Sequence, residues 1–334
     1  MVLFSYNIFK WVIYMKFKDY LKKASLAPEE GDIIEYMTIR DRLTSNVLVN
    51  SQREIPGTAC SKEADVTGLW EEFKKLKASV PYELTFNTLM VKILVEGLKA
   101  APRLNAHFEY NHRSTSGRLI IKKHIDVALA VCLDSGETFQ IKIKHLEEKN
   151  LEETAFEIEE VKRKLQNTNL KRVMFKVGGQ RMLGLASKGK IGSTLAQFRS
   201  AYFGKAKIAK FSKLFKKKYR TVNTSGKPYD GLRADDFTEG TVCYTNWGTL
   251  YDKLDVDITY IPPLYPQVFL FASGRVRDKE YVYKDENGIL QLGTKKILPL
   301  SLIFDHKIGG ANDIMPFIKK LDEILENPSI IHTW

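Results

Sequence analysis

The chain has 334 residues, of which 44% are hydrophobic and 28% charged. That balance excludes collagen-like, coiled-coil and wholly disordered chains. Its net charge of +12 is local: residues 171–229 hold 16 Lys/Arg and no Asp/Glu, leaving 36 basic against 40 acidic residues elsewhere. Three separated cysteines, Cys60, Cys132 and Cys243, form neither a disulfide framework nor a zinc spacing, so no metal is expected and a reducing cytoplasm is the default. No apolar run approaches the roughly 20 residues of a membrane span.

Residues 1–33 read as an N-terminal extension. The first fifteen are apolar and aromatic but lack the basic start and small-residue cleavage site of a signal peptide. They fit either a short surface helix or an upstream extension of a chain that starts at Met15. Phe17–Ala27 reads as a short amphipathic helix, broken at Pro28-Glu29-Glu30-Gly31.

From Ile34 onward one continuous domain is expected, 34–334. Thr58–Val66 is a predicted strand. Thr67–Ser79 is a helix with Leu69, Phe73 and Leu76 inward, and Thr85–Ala100 is a second, ended by Pro102. Leu119–Ile121, Asp126–Cys132 and Thr138–Lys144 read as strands, and Leu151–Gln166 as a charged amphipathic helix. Gly240–Tyr244 is a strand running into Thr245-Asn246-Trp247-Gly248. Val268–Ser273, Tyr281–Tyr283 and the apolar Ile297–Phe304 are further strands, and Asp313–Glu326 is the last helix. Strands and helices mix without regular βαβ alternation, which predicts an α+β sandwich on a mixed sheet.

The strand Ile297–Phe304 exits into Asp305-His306-Lys307-Ile308-Gly309-Gly310. A histidine at the end of a buried strand has a fixed direction, access to a cleft and a pKa tunable near neutrality, which are the requirements of a general base. The same position also suits a histidine that merely packs on its turn.

These blocks resemble the catalytic domain of the 2-oxoacid dehydrogenase dihydrolipoyl acyltransferases, a chloramphenicol acetyltransferase-like two-layer sandwich. Asp305-His306-Lys307 is similar to the family's Asp-His-Arg. Leu84-Thr85-Phe86, Val91-Lys92 and Pro102-Arg103-Leu104-Asn105-Ala106 resemble its helix and following turn. Lys122-Lys123 with Ile125 to Val131 resembles its lysine pair and strand. Gly240 to Gly248 resembles its Gly-Thr-Phe-Thr-Ile-Ser-Asn-Leu-Gly block. The resemblance spans about Ile34 to Ser329, apart from the basic segment.

What the resemblance implies is acyl transfer. The family histidine, here His306, deprotonates the thiol of coenzyme A or dihydrolipoamide, and the thiolate attacks an acyl thioester. A strand-turn hydroxyl, here Thr245, hydrogen-bonds the oxyanion. The family's sites lie between subunits of a trimer, the histidine from one chain and the hydroxyl from the next. Coenzyme A or its acyl thioester is then a substrate, and no metal is implied. The chain shows no lipoyl domain, no Asp-Lys-Ala lipoylation site and no Pro/Ala-rich linker. It therefore reads as a stand-alone transferase without an attached lipoyl group. Four residues after His306 the family has Asp or Asn, held by an arginine from the N-terminal part of the domain. Here Gly310 stands there, and Val47 aligns with the arginine. A non-catalytic scaffold or partner subunit is the alternative that this departure raises. Asn312 and Asp313 read as caps of the last helix, with partial substitution for the missing carboxylate as the other reading.

The basic stretch, 171–229, falls where the family has a short loop and is expected to be an insertion dispensable for folding. Ile191–Phe203 and Lys205–Arg220 read as two amphipathic helices. Lys205, Lys207, Lys210, Lys213, Lys216, Lys217, Lys218 and Arg220 form a possible anionic-partner surface. An anionic membrane surface, an acidic acyl-carrier protein or the phosphates of coenzyme A fit it. Nucleic acid fits less well, because no recognition motif accompanies the charge. A solvated lid is the plain reading. A cytoplasmic protein, peripheral to a membrane in the first of these readings, is expected.

Overall fold

The computed structural model describes residues 30–132, 138–187, 189, 191–205, 207–208, 230–250 and 257–334. Residues 30–38 belong to a separate N-terminal unit, are largely exposed and carry no helix or strand. The expected helix Phe17–Ala27 and the apolar residues 1–15 lie outside the described residues.

The remaining unit, Ile39–Trp334, opens with α1 (Ile39–Glu54), β1 (Gly57–Asp65), α2 (Thr67–Ser79) and α3 (Phe86–Ala100). The hairpin β2 (Ala106–Asn111)–β3 (Ser116–Ile121) follows, then β4 (Val127–Cys132), β5 (Thr138–Ile143) and α4 (Leu151–Gln166). Next come α5 (Leu170–Ser187), α6 (Ile191–Tyr202), β6 (Val242–Asn246), the single turn α7 (Trp247–Leu250), and β7 (Phe269–Ser273). The chain closes with β8 (Arg277–Lys284), β9 (Leu290–Asp305) and α8 (Ala311–Glu326).

Seven strands form one mixed sheet in the order β1-β9-β7-β6-β4-β5, with β8 pairing the outer half of β9. β6 runs parallel to both β4 and β7, whereas β9 is antiparallel to β1, β7 and β8. The expected α+β sandwich on a mixed sheet is what the chain forms. Period-two alternation sorts the strands. Tyr244, Phe269, Phe271, Leu300, Leu302 and Phe304 face the main core, and Cys243, Leu270, Ala272 and Ile303 form a smaller cluster with Ile258 and Ile261.

The main core lies between the sheet and helices α2, α3, α4 and α8. Phe317 of α8 stacks edge-on against Phe269 and Phe271, at 5.1 and 5.6 Å between ring centroids. Gly97 of α3 makes room for that ring, since a Cβ there would overlap it. Thr85 caps α3 by accepting from Thr88 N at 3.1 Å, and Asn150 with Glu153 forms a capping box on α4. Lys92, within α3, is buried and donates to Lys149 O at 2.7 Å, joining α3 to the start of α4.

The structure corrects one boundary. Helix α5 falls within the stretch expected to be a dispensable insertion, yet its Val173, Met174 and Val177 are buried in the main core. Their spacing of one helical turn is an inward stripe that the basic neighbours obscure. By contrast, α6 has no buried residue, and Leu195 is 63% exposed. The predicted helix Lys205–Arg220 lies largely outside the described residues, including Lys210, Lys213, Lys216, Lys217, Lys218 and Arg220 of the basic surface.

His107 of β2 donates through Nε2 to Gly240 O at 2.9 Å. Burial pushes its pKa below the ordinary 6.5, against a smaller opposing effect of that hydrogen bond. The neutral ring is therefore the folded form. As pH falls below the unfolded value of 6.5, unfolded chains take the proton first, so stability is lost toward the depressed folded value. His107→Gln, which keeps a donor, is expected to shrink the fall in urea midpoint between pH 7.5 and 5.5. An unchanged fall would show that another group governs the acid limb.

Candidate active site

His306 follows directly from β9. Its backbone N–H donates to Pro56 O at 3.0 Å, and its exposed ring lies 5.9 Å from that of Phe304. The imidazole makes no hydrogen bond to another described residue. Two clamps fix the loop that carries it.

The first clamp is Lys307. Its ammonium lies 3.1 Å from Asp305 Oδ2 and also donates to Glu54 O, the last carbonyl of α1. It sits 5.5 Å above the Phe108 ring and 5.9 Å above that of Tyr110. Asp305 is only 2% exposed, and its Oδ1 accepts from Lys307 N at 3.0 Å. A lysine thus supplies charge, a hydrogen bond and cation–π contact without the fork of the family's arginine.

The second clamp is a pair that the sequence did not reveal. Arg103 Nε donates to Asp313 Oδ1 at 2.5 Å, and Arg103 Nη2 donates to Ile308 O at 2.6 Å. Asp313 Oδ2 accepts from Gly310 N at 3.1 Å, so Asp313 both caps α8 and holds the arginine. Gly309 lies between at φ +155° and ψ −163°, a region open to glycine, and a Cβ there would overlap the Asp313 carboxylate. Val47 lines a cavity of about 270 Å³ with Phe139, Val177 and Leu264.

Thr245 sits near the end of β6, 7% exposed, on the sheet face opposite Tyr244. Its hydroxyl makes no hydrogen bond among the described residues, so it is not consumed by local backbone. The turn after it is tight: a Cβ on Gly248 would stand 2.7 Å from both Arg275 Cα and Gly274 O. Asn246 Nδ2 donates to Asn87 Oδ1 at 3.3 Å, tying the turn to the first turn of α3. Cys243, two residues earlier, is fully buried and its thiol is pushed up to about 12, so it stays protonated and is no nucleophile.

Within one chain His306 and Thr245 do not meet. Thr245 aligns with Ala272, and Ala272 with Ser301, five residues before His306. β6 and β7 are parallel and β9 is antiparallel to them, so the ends of β6 and β9 point to opposite edges of the sheet. At about 3.4 Å per residue and 4.8 Å per strand, the two side chains stand on the order of 15–20 Å apart.

An exposed histidine on a clamped loop and a strand-end hydroxyl with no partner among the described residues thus stand on one mixed sheet. Residues 29–183 and 215–333 match the family of 2-oxoacid dehydrogenases acyltransferase (catalytic domain), and the chain belongs to that family. The unmatched stretch between the two blocks, 184–214, is shorter than the 171–229 expected as an insertion. A curated relative, the dihydrolipoyllysine-residue acetyltransferase component of the pyruvate dehydrogenase complex of Staphylococcus epidermidis, is 29% identical over 153 residues. That alignment covers 44% of this chain and 34% of the relative, so the chain spans about a third of the length of the curated proteins it matches.

Among solved structures, the cubic core of the pyruvate dehydrogenase multienzyme complex aligns with a TM-score of 0.59 at 19% identity, over 92% of this chain and 98% of that one. The dihydrolipoamide acetyltransferase of Azotobacter vinelandii, in which the catalytic roles of a serine, a histidine and an asparagine were investigated, gives the same values. These two likenesses show the fold.

The clamps make separate predictions. Lys307→Met strands the buried Asp305 carboxylate and is expected to cost about 3 kcal/mol. Asp313→Ala removes a cap and the Arg103 partner together and is expected to cost about 1–2 kcal/mol. Gly310→Asn should leave stability within ~1 kcal/mol, because a Cβ there meets nothing within 4 Å. Chemical denaturation of the three variants checks these values. A larger loss in Gly310→Asn than in Lys307→Met would contradict the geometry.

Proposed function

We propose that the protein is an acyltransferase that moves an acyl group from a thioester, carried by coenzyme A or a carrier protein, to an acceptor. The observation that carries this reading is His306, exposed at the tip of a doubly clamped loop in a chain of the acyltransferase family. With a thiol acceptor, His306 takes the thiol proton and the thiolate adds to the thioester carbonyl. The tetrahedral oxyanion accepts a hydrogen bond from Thr245. Collapse breaks the original C–S bond and expels the donor's thiolate, which takes the proton from the imidazolium. A thiol of pKa about 8.5 is mostly protonated at pH 7, so an adjacent base raises the reactive fraction. An oxyanion donor contributes about 3–4 kcal/mol to such a barrier.

The base and the hydroxyl act at one reacting centre, within about 3 Å of their targets. Their separation in a single chain favours a site shared by two copies, and the closed assembly proposed is a homotrimer. Arg103 with Asp313 performs the loop-holding task left open by Gly310, which favours catalysis over the non-catalytic scaffold reading. Lys205, Lys207 and the basic residues that follow form the docking surface for an anionic partner. An acidic carrier protein, the phosphates of coenzyme A or an anionic membrane surface each supply that charge. Among the described residues no helix is long and apolar enough to cross a membrane.

Thiol release from acyl-coenzyme A donors tests the chemistry. His306→Ala is expected to lose at least about a thousandfold, while Thr245→Val loses about a hundredfold or more and Thr245→Ser retains most activity. Equal rates in wild type and His306→Ala would remove the catalytic assignment in favour of the scaffold. Mixing inactive His306→Ala and Thr245→Val chains during refolding tests the shared site. About a quarter of the interfaces in a random mixture join an intact His306 to an intact Thr245, so about that fraction of activity should return. No recovery in mixed trimers would remove the shared site and Thr245's part in it. Replacing the eight basic residues by Gln should weaken sedimentation with anionic vesicles, or capture by an acidic carrier protein, and most strongly at low salt. Retention equal to wild type in both assays would leave the stretch a solvated lid.

A further inference from the structure

Four metal-ligating side chains converge away from His306 and Thr245. The β4–β5 hairpin pairs Val127 with Ile143, so the residues just before β4 and just after β5 lie side by side. His124 precedes β4. His145, Glu147 and Glu148 follow β5. One donor atom from each of the four lies within 4.8 Å of the others. His124 Nδ1 is 2.6 Å from Glu147 Oε1 and 3.8 Å from Glu148 Oε1, and the two imidazoles meet edge-on at 4.1 Å.

The backbone around them is already tied. His145 N donates to Asp126 Oδ1 at 3.0 Å, Ile125 N to Glu147 Oε2 at 2.7 Å, and Leu146 N to Ile125 O at 3.0 Å. His145 itself holds a left-handed φ of +56°, uncommon for a residue other than glycine, and this sets its ring against that of His124.

We propose that His124, His145, Glu147 and Glu148 form a binding site for a divalent transition-metal cation of the Zn²⁺ type. Two imidazoles and two carboxylates select such a cation over Mg²⁺ or Ca²⁺, which prefer oxygen alone. Neutral imidazoles with two carboxylates also balance a charge of +2. Ligand atoms around a tetrahedral Zn²⁺ with 2.0–2.1 Å bonds stand about 3.3 Å apart. The 3.8 Å separation fits, and the 2.6 Å hydrogen bond opens by less than 1 Å as the His124 Nδ1 proton leaves to solvent. Glu147 is mostly covered and Glu148 is 66% exposed, which gives a held side and an entry side.

His145 and Glu148 also border a cavity of about 910 Å³ lined by seven glutamates against two lysines, Lys149 and Lys164. Glu157, Glu159 and Glu160 are paired with Lys149, Lys162 and Arg163, and the other four glutamates keep the wall net negative, which favours cations. Lys149 is itself engaged by Glu157 and by Lys144 O, and Lys144 lies 3.9 Å from Asp236. The expectation of no metal rested on cysteine spacing and on the family resemblance. It did not cover a His/Glu set separated by a whole hairpin.

A bound ion would clip the lead into β4 to the lead into α4. Isothermal titration of the tag-free protein with Zn²⁺ tests this, together with the visible spectrum of added Co²⁺, which reports coordination number. Wild type is expected to bind one ion with Kd of about 10 μM or tighter. At a hundredfold excess over Kd its Tm should rise by a few degrees. His145→Asn keeps a residue that tolerates the left-handed backbone, and Glu148→Gln keeps an exposed polar side chain, so both variants should fold. Each is expected to weaken binding at least about tenfold and to cut the Tm rise by about half or more. No heat and no Tm shift in wild type at 100 μM Zn²⁺, or affinity unchanged in both variants, would overturn the site. Neither readout depends on acyl transfer.

Discussion

Strand β9 is the element on which the rest depends. It is hydrogen-bonded along its length to β1, β7 and β8. Its pairing with β1 sets Gly57 opposite Asp305, and its pairing with β7 sets Phe269 opposite Phe304. A one-residue slip would turn Phe304 away from the core and bring Asp305 into it, which the buried face forbids. The register that hydrophobic burial enforces is therefore also what fixes the starting point of the His306 loop. The histidine inherits its position from core packing and its loop geometry from the two clamps.

Strand direction has a functional consequence. Parallel β6 and β7 deliver Thr245, Asn246 and Ser273 to one edge of the sheet, and antiparallel β9 delivers His306 to the other. Refolding the loops cannot unite these groups, because the separation is built into the hydrogen-bonded lattice. Under the proposed chemistry, catalysis then requires assembly, and a substitution that loosens the interface lowers activity without touching either residue. Tyr244 and Cys243 show how the same strand separates tasks by parity. Tyr244 is buried in the helix-covered core with its hydroxyl 2.9 Å from Ser273 Oγ, while Cys243 and Thr245 face the other side.

Much of this was legible in the sequence wherever one face of an element is apolar. Thr67–Ser79 and Leu151–Gln166 have the predicted bounds, and the helix that ends at Ala100 starts one residue later, after its Thr85 cap. Elements without such a face escaped. Helix α1 has Ser51 as its one buried residue, so periodicity had little to act on. β8 and the outer half of β9 form an arm with Val282, Leu290 and Leu292 exposed, and the sequence marks only Tyr281–Tyr283 of β8 and Ile297–Phe304 of β9 as strand. β2 pairs β3 in a separate hairpin half open to solvent. For the site, His306 and Thr245 could be singled out because motif residues are contiguous. Arg103 and Asp313 could not be paired, since 210 residues separate them and only the fold brings them together.

That pair explains how the loop tolerates a glycine where relatives carry a polar side chain. Gly310 offers no side chain, yet its backbone N–H is held by Asp313, and Asp313 is held by Arg103, which reaches back to Ile308 O. The restraint has moved from a side chain on the loop to the first turn of the next helix, with backbone groups of the loop as its targets. Gly309 is a condition of this arrangement, because any side chain there would occupy the space of the Asp313 carboxylate. Gly309, Gly310 and Asp313 therefore act as one unit. Restoring a polar residue at 310 alone would add a second restraint to a loop already held, whereas losing Asp313 would release the cap, the arginine and the glycine N–H at once.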